Sequence, residues 1–381
     1  MTTTSSRIVT RATLGGNDLE IMWNQGPASR FLFLWLRDNC PQLRHATTGH
    51  RTVETSTIPD DVRPSSVSVD AAGVVTIVWS HDQHVSRFES SWLDANDYSN
   101  GARSPVRDLE LWAAADVDRL PRASWPDVLA DDALRIDFLR GFCRFGLAFL
   151  SDVPTTSGTV LEVANELGYV RTTSWGEMFD VVSIPEANSL AYTSLPLVVH
   201  TDEGYRDPAP TVQLQHFLVA DSTGGFATLT DGFRVAADLR AEDPDQFALL
   251  AGESLYFHFE DATSEHRNTG PVITTDPDGS VRSIRFSNHS AQPFLMAPER
   301  LEAYYRAYRR FGAMRESDTY QLRVDMRAGD MYIVDNQRVM HGRTAFSADG
   351  PRHLQSCYIE RDEVASRLAV LERRAGPSAE R

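Results

Sequence analysis

Long apolar runs are missing from this sequence. No stretch approaches the ~18 apolar residues of a membrane-spanning helix, and Met1 to Ser6 is polar where a secretory leader would carry an apolar core. A cytoplasmic location is the expectation. Cysteine is scarce: Cys40, Cys143 and Cys357 are three residues set far apart, too few for a disulfide framework and suited to a reducing compartment. Basic charge is short as well, with 37 Lys and Arg against 53 Asp and Glu and a formal net charge of -16. Such a surface repels phosphates and anionic lipid, so neither nucleic acid nor a membrane is an expected partner. A small molecule in a locally basic pocket remains open.

What is present is an ordinary globular mixture, 41% hydrophobic and 24% charged over 381 residues, long enough for one large domain and one small one. The first hundred residues carry short branched and aromatic runs bounded by turn residues: Leu19 to Trp23, Phe31 to Leu36 and Val74 to Trp79. They predict strands. Asp97 to Leu129 is rich in Ser, Pro, Asp and Arg and reads as a surface connection. The boundary falls near Glu110, giving a small β-rich domain over 1–109, linker included, and a larger domain over 110–381.

In the larger part, Leu134, Phe138 and Phe142 predict a helix ending at Gly146. Leu301, Tyr304, Tyr308 and Phe311 predict another, with Gly312 near its end. Thr211 to Val219 alternates as a strand with Val212, Leu214 and Leu218 on one face. Gln321 to Met326, Met331 to Asp335 and His353 to Ile359 are further strands. Many short strands with few helices indicate a mainly β sandwich or barrel with flanking helices.

Chemistry concentrates in two segments. In Leu197-Val198-Val199-His200-Thr201-Asp202, an extended chain would point His200 and Asp202 to one side, where they can share a divalent metal. His-x-Asp alone is a common accident. The second segment, Arg338-Val339-Met340-His341-Gly342-Arg343, supplies another imidazole, and Arg352 follows at the head of a strand. Two histidines and a carboxylate on one side of an iron leave three positions open. A 2-oxoglutarate molecule can fill two of them, its far carboxylate met by the planar fork of Arg352, and dioxygen takes the last.

The run His200 to Pro208, the Gly224-Gly225 pair, Asp231-Gly232-Phe233, Asn336 to Arg343 and Arg352-His353-Leu354 resemble the γ-butyrobetaine dioxygenase family. That family lies within the taurine dioxygenase-like oxygenases. Trp35-Leu36-Arg37-Asp38-Asn39-Cys40-Pro41 resembles its small N-terminal domain, so the likeness covers nearly the whole chain. It implies a double-stranded β-helix, or jelly roll, with Fe(II) at its mouth and 2-oxoglutarate and O2 as co-substrates. It also implies oxidative decarboxylation of the co-substrate coupled to oxidation of an unactivated C–H bond, and a homodimer. Asp202 sets the chain apart from halogenating relatives, which lack this carboxylate.

Positions matching the family's trimethylammonium cage are Trp175, Phe179, Tyr192 and Tyr358; read without the family, the same rings are core packing. For the anionic end of a γ-butyrobetaine-like substrate, Asn188-Ser189 stands where relatives carry two asparagines. Ser189, Asn288 and Arg206 are then the candidates, and a phosphonate head is the alternative to a carboxylate. Ala227 replaces a hydroxyl residue that contacts 2-oxoglutarate in relatives, with Thr228 as its expected substitute. The family's structural zinc is represented only by Cys40 and His84, and two ligands do not close a tetrahedral site unless His45 or His81 joins them. A zinc hydrolase built on the same triad would leave Arg352 and the aromatic set unused. A non-catalytic betaine binder would leave the triad unused.

Overall fold

A computed structural model describes residues 7–99, 108–182, 193–347 and 350–376. Two compact units divide the chain, Met1–Val106 and Arg107–Arg381.

The first unit holds strands β1 (Val9–Leu14), β2 (Asp18–Trp23) and β3 (Ser29–Leu32), helix α1 (Phe33–Asp38), strands β4 (Pro64–Val69), β5 (Val75–Trp79) and β6 (Val85–Phe88), and helix α2 (Ser90–Ala95). Two three-stranded antiparallel sheets, β1-β2-β3 and β4-β5-β6, enclose a core that includes Ile21, Phe31, Ile77 and Trp79. The expected strand from Phe31 to Leu36 is only half a strand. After Leu32 the buried positions are Phe33, Leu36 and Arg37, a helical spacing of three and four. A short apolar run cannot tell the two periods apart. Cys40 Sγ lies 3.2 Å from His84 Nε2 and 3.3 Å from Gln42 Oε1, so an amide stands beside the pair where a third metal ligand would be needed. His45 is bonded within its own loop, and His81 lies 3.3 Å from Asp82.

The second unit begins with β7 (Arg122–Ser124), α3 (Trp125–Ala130), α4 (Asp132–Phe145), β8 (Leu147–Ser151), α5 (Thr159–Leu167) and β9 (Met178–Val182). It continues with β10 (Leu197–His200), β11 (Val212–Ala220), β12 (Ala227–Asp231), α6 (Gly232–Glu242) and α7 (Pro244–Gly252). Then come β13 (Ser254–Glu260), β14 (Glu265–Pro271), β15 (Ile273–Thr275), β16 (Val281–Ile284) and α8 (Pro298–Glu316). The last elements are β17 (Gln321–Val324), β18 (Met331–Asp335), β19 (Val339–Arg343), β20 (Arg352–Ile359) and α9 (Arg361–Ala375). A six-stranded sheet, β7-β8-β18-β11-β20-β9, and a four-stranded sheet, β10-β19-β12-β17, form the jelly roll. Strand alternation divides the side chains between layers. Phe149, Phe217, Leu229, Tyr332 and Leu354 meet in one cluster within the roll. Val212, Leu214, Ile333 and Cys357 of the large sheet's other face pack on residues of α4, α5 and α9. Val199 and Met340 of the small sheet join a third cluster with α6, α7 and α8.

Helix α4 ends as expected at Gly146, which takes φ +68° and donates to Phe142 O. Helix α8 ends at Glu316, with Gly312 near its end but inside it. Burial of Tyr304, Tyr308 and Phe311 outweighs the ~1 kcal/mol propensity cost of a glycine inside a helix. The segment read as a surface connection is more structured than its composition suggested. It contains a 3-10 turn at Ala114–Arg119, β7 and the start of α3, and it buries Trp112 and Trp125. Among the described residues no helix is long and apolar enough to cross a membrane.

Candidate active site

Strands β10 and β19 run antiparallel with His200 opposite His341. A Cβ on Gly342 would lie 2.3 Å from Leu197 O and 2.8 Å from Val199 N, so this close pairing of the two histidine-bearing strands requires glycine there. Asp202 does not extend the strand, which ends at His200. Its carboxylate arrives instead from a bend that Asn336 clamps. The Asn336 side chain accepts from Asp202 N at 2.7 Å and donates to Asp202 O at 3.1 Å and Pro210 O at 2.9 Å. The next residue, Glu203, has φ +51°, a left-handed conformation that a side chain resists. Its buried carboxyl, 2.6 Å from Arg206 Nε, is pushed up to about 7 by burial, against the pull of Arg206.

The bend achieves the convergence expected of a strand. Asp202 Oδ1 is 3.1 Å from His200 Nε2, Asp202 Oδ2 is 3.5 Å from His341 Nε2, and the two imidazoles are 4.9 Å apart. His200 Nδ1 lies 2.9 Å from Val198 O. A carbonyl only accepts, so in the neutral ring the hydrogen is on Nδ1 and Nε2 turns a bare lone pair toward the carboxylate. Two facing lone pairs at that distance call for a cation between them. Burial alone would raise the Asp202 carboxyl; positive charge on His341 and His200 would hold it well below the usual carboxylate range, and a cation seated between neutral rings supplies that charge in their place. The donor set of two imidazoles and one carboxylate is thus suited to a divalent metal with open positions. One other group with ligand atoms this close exists among the described residues, His258, Glu260 and Glu265; it lies on the β13–β14 hairpin with His258 already bonded to Glu265 at 3.0 Å.

Next to the triad is a cavity of about 70 Å³ lined by Gln213, Gln215, Phe217, Tyr332, Arg343 and Arg352, among others. The Arg352 guanidinium sits between two rings, 5.5 Å from Phe217 and 5.3 Å from Phe346. Arg343 shares the second ring at 5.3 Å and also donates to Thr193 O. Burial lowers both guanidiniums, and for Arg343 the nearby Arg352 adds to it, bringing it to about 10. Gly225 explains the glycine pair: with φ +72°, it passes so close that a Cβ would lie 3.2 Å from Arg352 Nε. Thr228 is not among the cavity residues; Ala227 is. Adjacent residues of a strand face opposite ways, so the hydroxyl expected to replace the missing one points out of the cavity, beside Gly342.

Of the aromatic set, Phe179 and Tyr358 meet at 5.6 Å and Trp175 lies 6.5 Å from Phe179. Phe259 adds a further ring 5.6 Å from Trp175 and stacks on Tyr205 at 4.9 Å. Tyr358 reaches the triad itself: its hydroxyl donates to Asp202 Oδ2 at 2.8 Å, as does Gln213 Nε2 at 2.8 Å. Tyr192, Ser189 and Asn188 lie outside the described residues. Asn288 is largely exposed and accepts from Tyr308 at 2.5 Å.

Sequence reasoning passed over Gln213, Tyr332, Arg343, Tyr205 and Phe259. Gln213 and Gln215 could have been noticed as polar residues alternating with Val212 and Leu214 in a strand between apolar layers. Phe259 leaves no such trace, because only the folded hairpin brings it to Trp175.

Residues 105–358 match the taurine catabolism dioxygenase TauD, TfdA family, and residues 11–94 match the γ-butyrobetaine hydroxylase-like N-terminal family. A γ-butyrobetaine dioxygenase from Pseudomonas sp. strain AK-1 is 35% identical over 93% of this chain and 94% of its own. A trimethyllysine dioxygenase from Meyerozyma guilliermondii is 29% identical over 97% of each. Among solved structures, the non-heme iron oxygenase OrfP in complex with Fe and α-ketoglutaric acid aligns with a TM-score of 0.48 and 19% identity, covering 67% of this chain and 86% of that one.

Proposed function

The chain belongs to the TauD, TfdA dioxygenase family and is a non-haem iron, 2-oxoglutarate-dependent dioxygenase; we propose that it oxidises a C–H bond of a small trimethylammonium metabolite with an anionic end. His200, Asp202 and His341 would hold the iron, and Arg352 would take the far carboxylate of 2-oxoglutarate. Iron and co-substrate, when bound, would supply the oxidising power, with one oxygen atom of O2 ending in succinate as CO2 leaves and the other on the substrate carbon.

The protein's part is placement. Arg352, fixed between Phe217 and Phe346, offers a rigid fork to a carboxylate without first having to order itself. Trp175, Phe179 and Tyr358, with Phe179 6.5 Å from Trp175 and 5.6 Å from Tyr358, would surround the cation, each contact worth roughly 0.5–2 kcal/mol. The observation that carries the substrate reading is Tyr358, whose ring packs on Phe179 while its hydroxyl touches Asp202. An aromatic box one residue away from a metal ligand suits a substrate whose cationic end lies near the reacting carbon. That relatives act on γ-butyrobetaine and on trimethyllysine supports the same end of the molecule.

The anionic end is a separate matter. Asn288 is engaged by Tyr308 and Arg206 by Glu203, and neither arrangement distinguishes a carboxylate from a phosphonate. The test is succinate release with Fe(II), 2-oxoglutarate and a panel of trimethylammonium carboxylates, trimethylammonium phosphonates and unmethylated amino acids. Release driven by quaternary compounds is expected, with the two head groups ranked by the same assay. Release driven by unmethylated amino acids and by no quaternary compound would contradict the proposal.

A further inference from the structure

We propose that Tyr358 and Gln213 are positioning residues that occupy one oxygen of Asp202, so that this ligand presents a single oxygen, Oδ1, to the metal. The inference rests on the triad reading above but concerns how Asp202 is held. Both donors converge on Oδ2, each at 2.8 Å. Gln213 must present its amide nitrogen there, since a carboxylate only accepts. That same nitrogen lies 3.2 Å from Ser356 Oγ, and the Ser356 hydroxyl donates to Leu214 O at 2.8 Å, which fixes the group on the inner faces of β11 and β20.

Oδ1 is in a different position. Its one neighbour among the hydrogen bonds and ion pairs of the described residues is His200 Nε2, an atom whose hydrogen is absent in the tautomer that Val198 selects. A metal ion would therefore find Oδ1 free of protein donors and Oδ2 already taken by two. The backbone on either side is fixed by Asn336, and turning the carboxylate to exchange its oxygens would break both hydrogen bonds to Oδ2. The choice of oxygen belongs to the protein before any metal arrives. Tyr358 then has two duties: its ring is a wall of the substrate box and its hydroxyl sets the binding mode of a metal ligand.

The two duties separate by substitution. Tyr358→Phe keeps the ring and removes the hydroxyl, Gln213→Leu removes the amide at similar volume, and the double variant removes both donors. The probe is Co(II), titrated into metal-free full-length protein, with affinity and the d–d absorption bands as readouts. Each single variant should bind Co(II) about tenfold more weakly, and the double about a hundredfold, in line with the loss of outer partners at metal sites. The d–d bands should shift in the double variant, because Oδ2 becomes free to join the ion. Unchanged affinity and unchanged bands in all three variants would overturn the proposal, as would a fall in thermal midpoint with no change at the metal. Failure of wild type to bind Co(II) would instead contradict the triad itself, so the two failures can be told apart.

Discussion

In the first unit, Arg7 reaches Asp94 at 2.7 Å and Asp97 at 2.8 Å, and Asp97 also accepts from Ser29 at 2.6 Å. In the second unit, the buried Arg343 and the half-buried Arg352 line one cavity and share the ring of Phe346. The first group sets opposite charges against one another, and removing one partner of such a group would leave an uncompensated charge behind. The second brings like charges together, which costs folding energy. Among the described residues Arg352 has no carboxylate within ion-pair distance, so its counter-charge has to come from a ligand. Charge set against its opposite serves the fold; cationic charge gathered on a cavity to await an anion serves a site.

The comparison makes opposite demands on activity and stability. The largest expected effect is at the triad. His341→Ala or Asp202→Ala should reduce 2-oxoglutarate turnover by at least about a thousandfold, while circular dichroism and thermal midpoint stay near wild type. Turnover that survives the loss of His341 would break the assignment. Arg352→Ala comes next. It should raise the 2-oxoglutarate KM by roughly a hundredfold, the scale of a lost charge-assisted pair, with little change for the prime substrate. Thermal stability should hold or rise, since a buried like charge has gone. Arg352→Lys should recover little, because an ammonium does not reproduce the fork. A stability loss with an unchanged co-substrate KM would place Arg352 in the same class as Arg7.

Trp175→Ala should weaken binding of a trimethylammonium substrate by roughly ten- to thirtyfold with 2-oxoglutarate binding unchanged. If the ring is only packing, thermal stability falls and substrate preference does not. The smallest effect is expected in the first unit, where Asp97→Asn should cost about 1–2 kcal/mol of stability and leave turnover alone. Burial would raise the Asp97 carboxyl, but Ser29 and Arg7 outweigh it and bring it down to about 2. Since the folded value is below the ordinary one, its contribution is present above about pH 4 and fades as the pH falls through 2. The stability gap between wild type and Asp97→Asn should therefore close over that range. A gap that stays constant would remove the ion pair from the account.

The sequence made some of this legible and not the rest. His200, Asp202, His341 and Arg352 are readable because a metal and a dianion need those side-chain types, and their order in the chain matches the family's. Strands such as Met331–Asp335 and helix α4 follow from periodicity alone. The reason His200 and Asp202 converge was not legible. Alternation on a strand would have sufficed, but the chain uses a bend clamped by Asn336, 134 residues away. Nor was the turn of Phe33 to Asp38 into a helix, since four apolar residues suit either period. Thr228 shows the reverse error: proximity in sequence to Ala227 suggested a substitute, and strand alternation sends its hydroxyl to the other face. The sequence marks Tyr358 as an aromatic residue, while its hydrogen bond to Asp202 depends on a contact across 156 residues.

The central claim is that the box beside the iron ligands selects a quaternary cation. It is tested most directly by the affinities of wild-type protein, loaded with metal and 2-oxoglutarate without oxygen, for γ-butyrobetaine and for its unmethylated analogue 4-aminobutyrate. A primary ammonium is strongly hydrated and finds few acceptors among rings, whereas a trimethylammonium loses little water and gains contact with each ring. γ-Butyrobetaine should bind at least about tenfold more tightly, with that preference lost in Trp175→Ala. Equal affinity for the two compounds in wild type would contradict it.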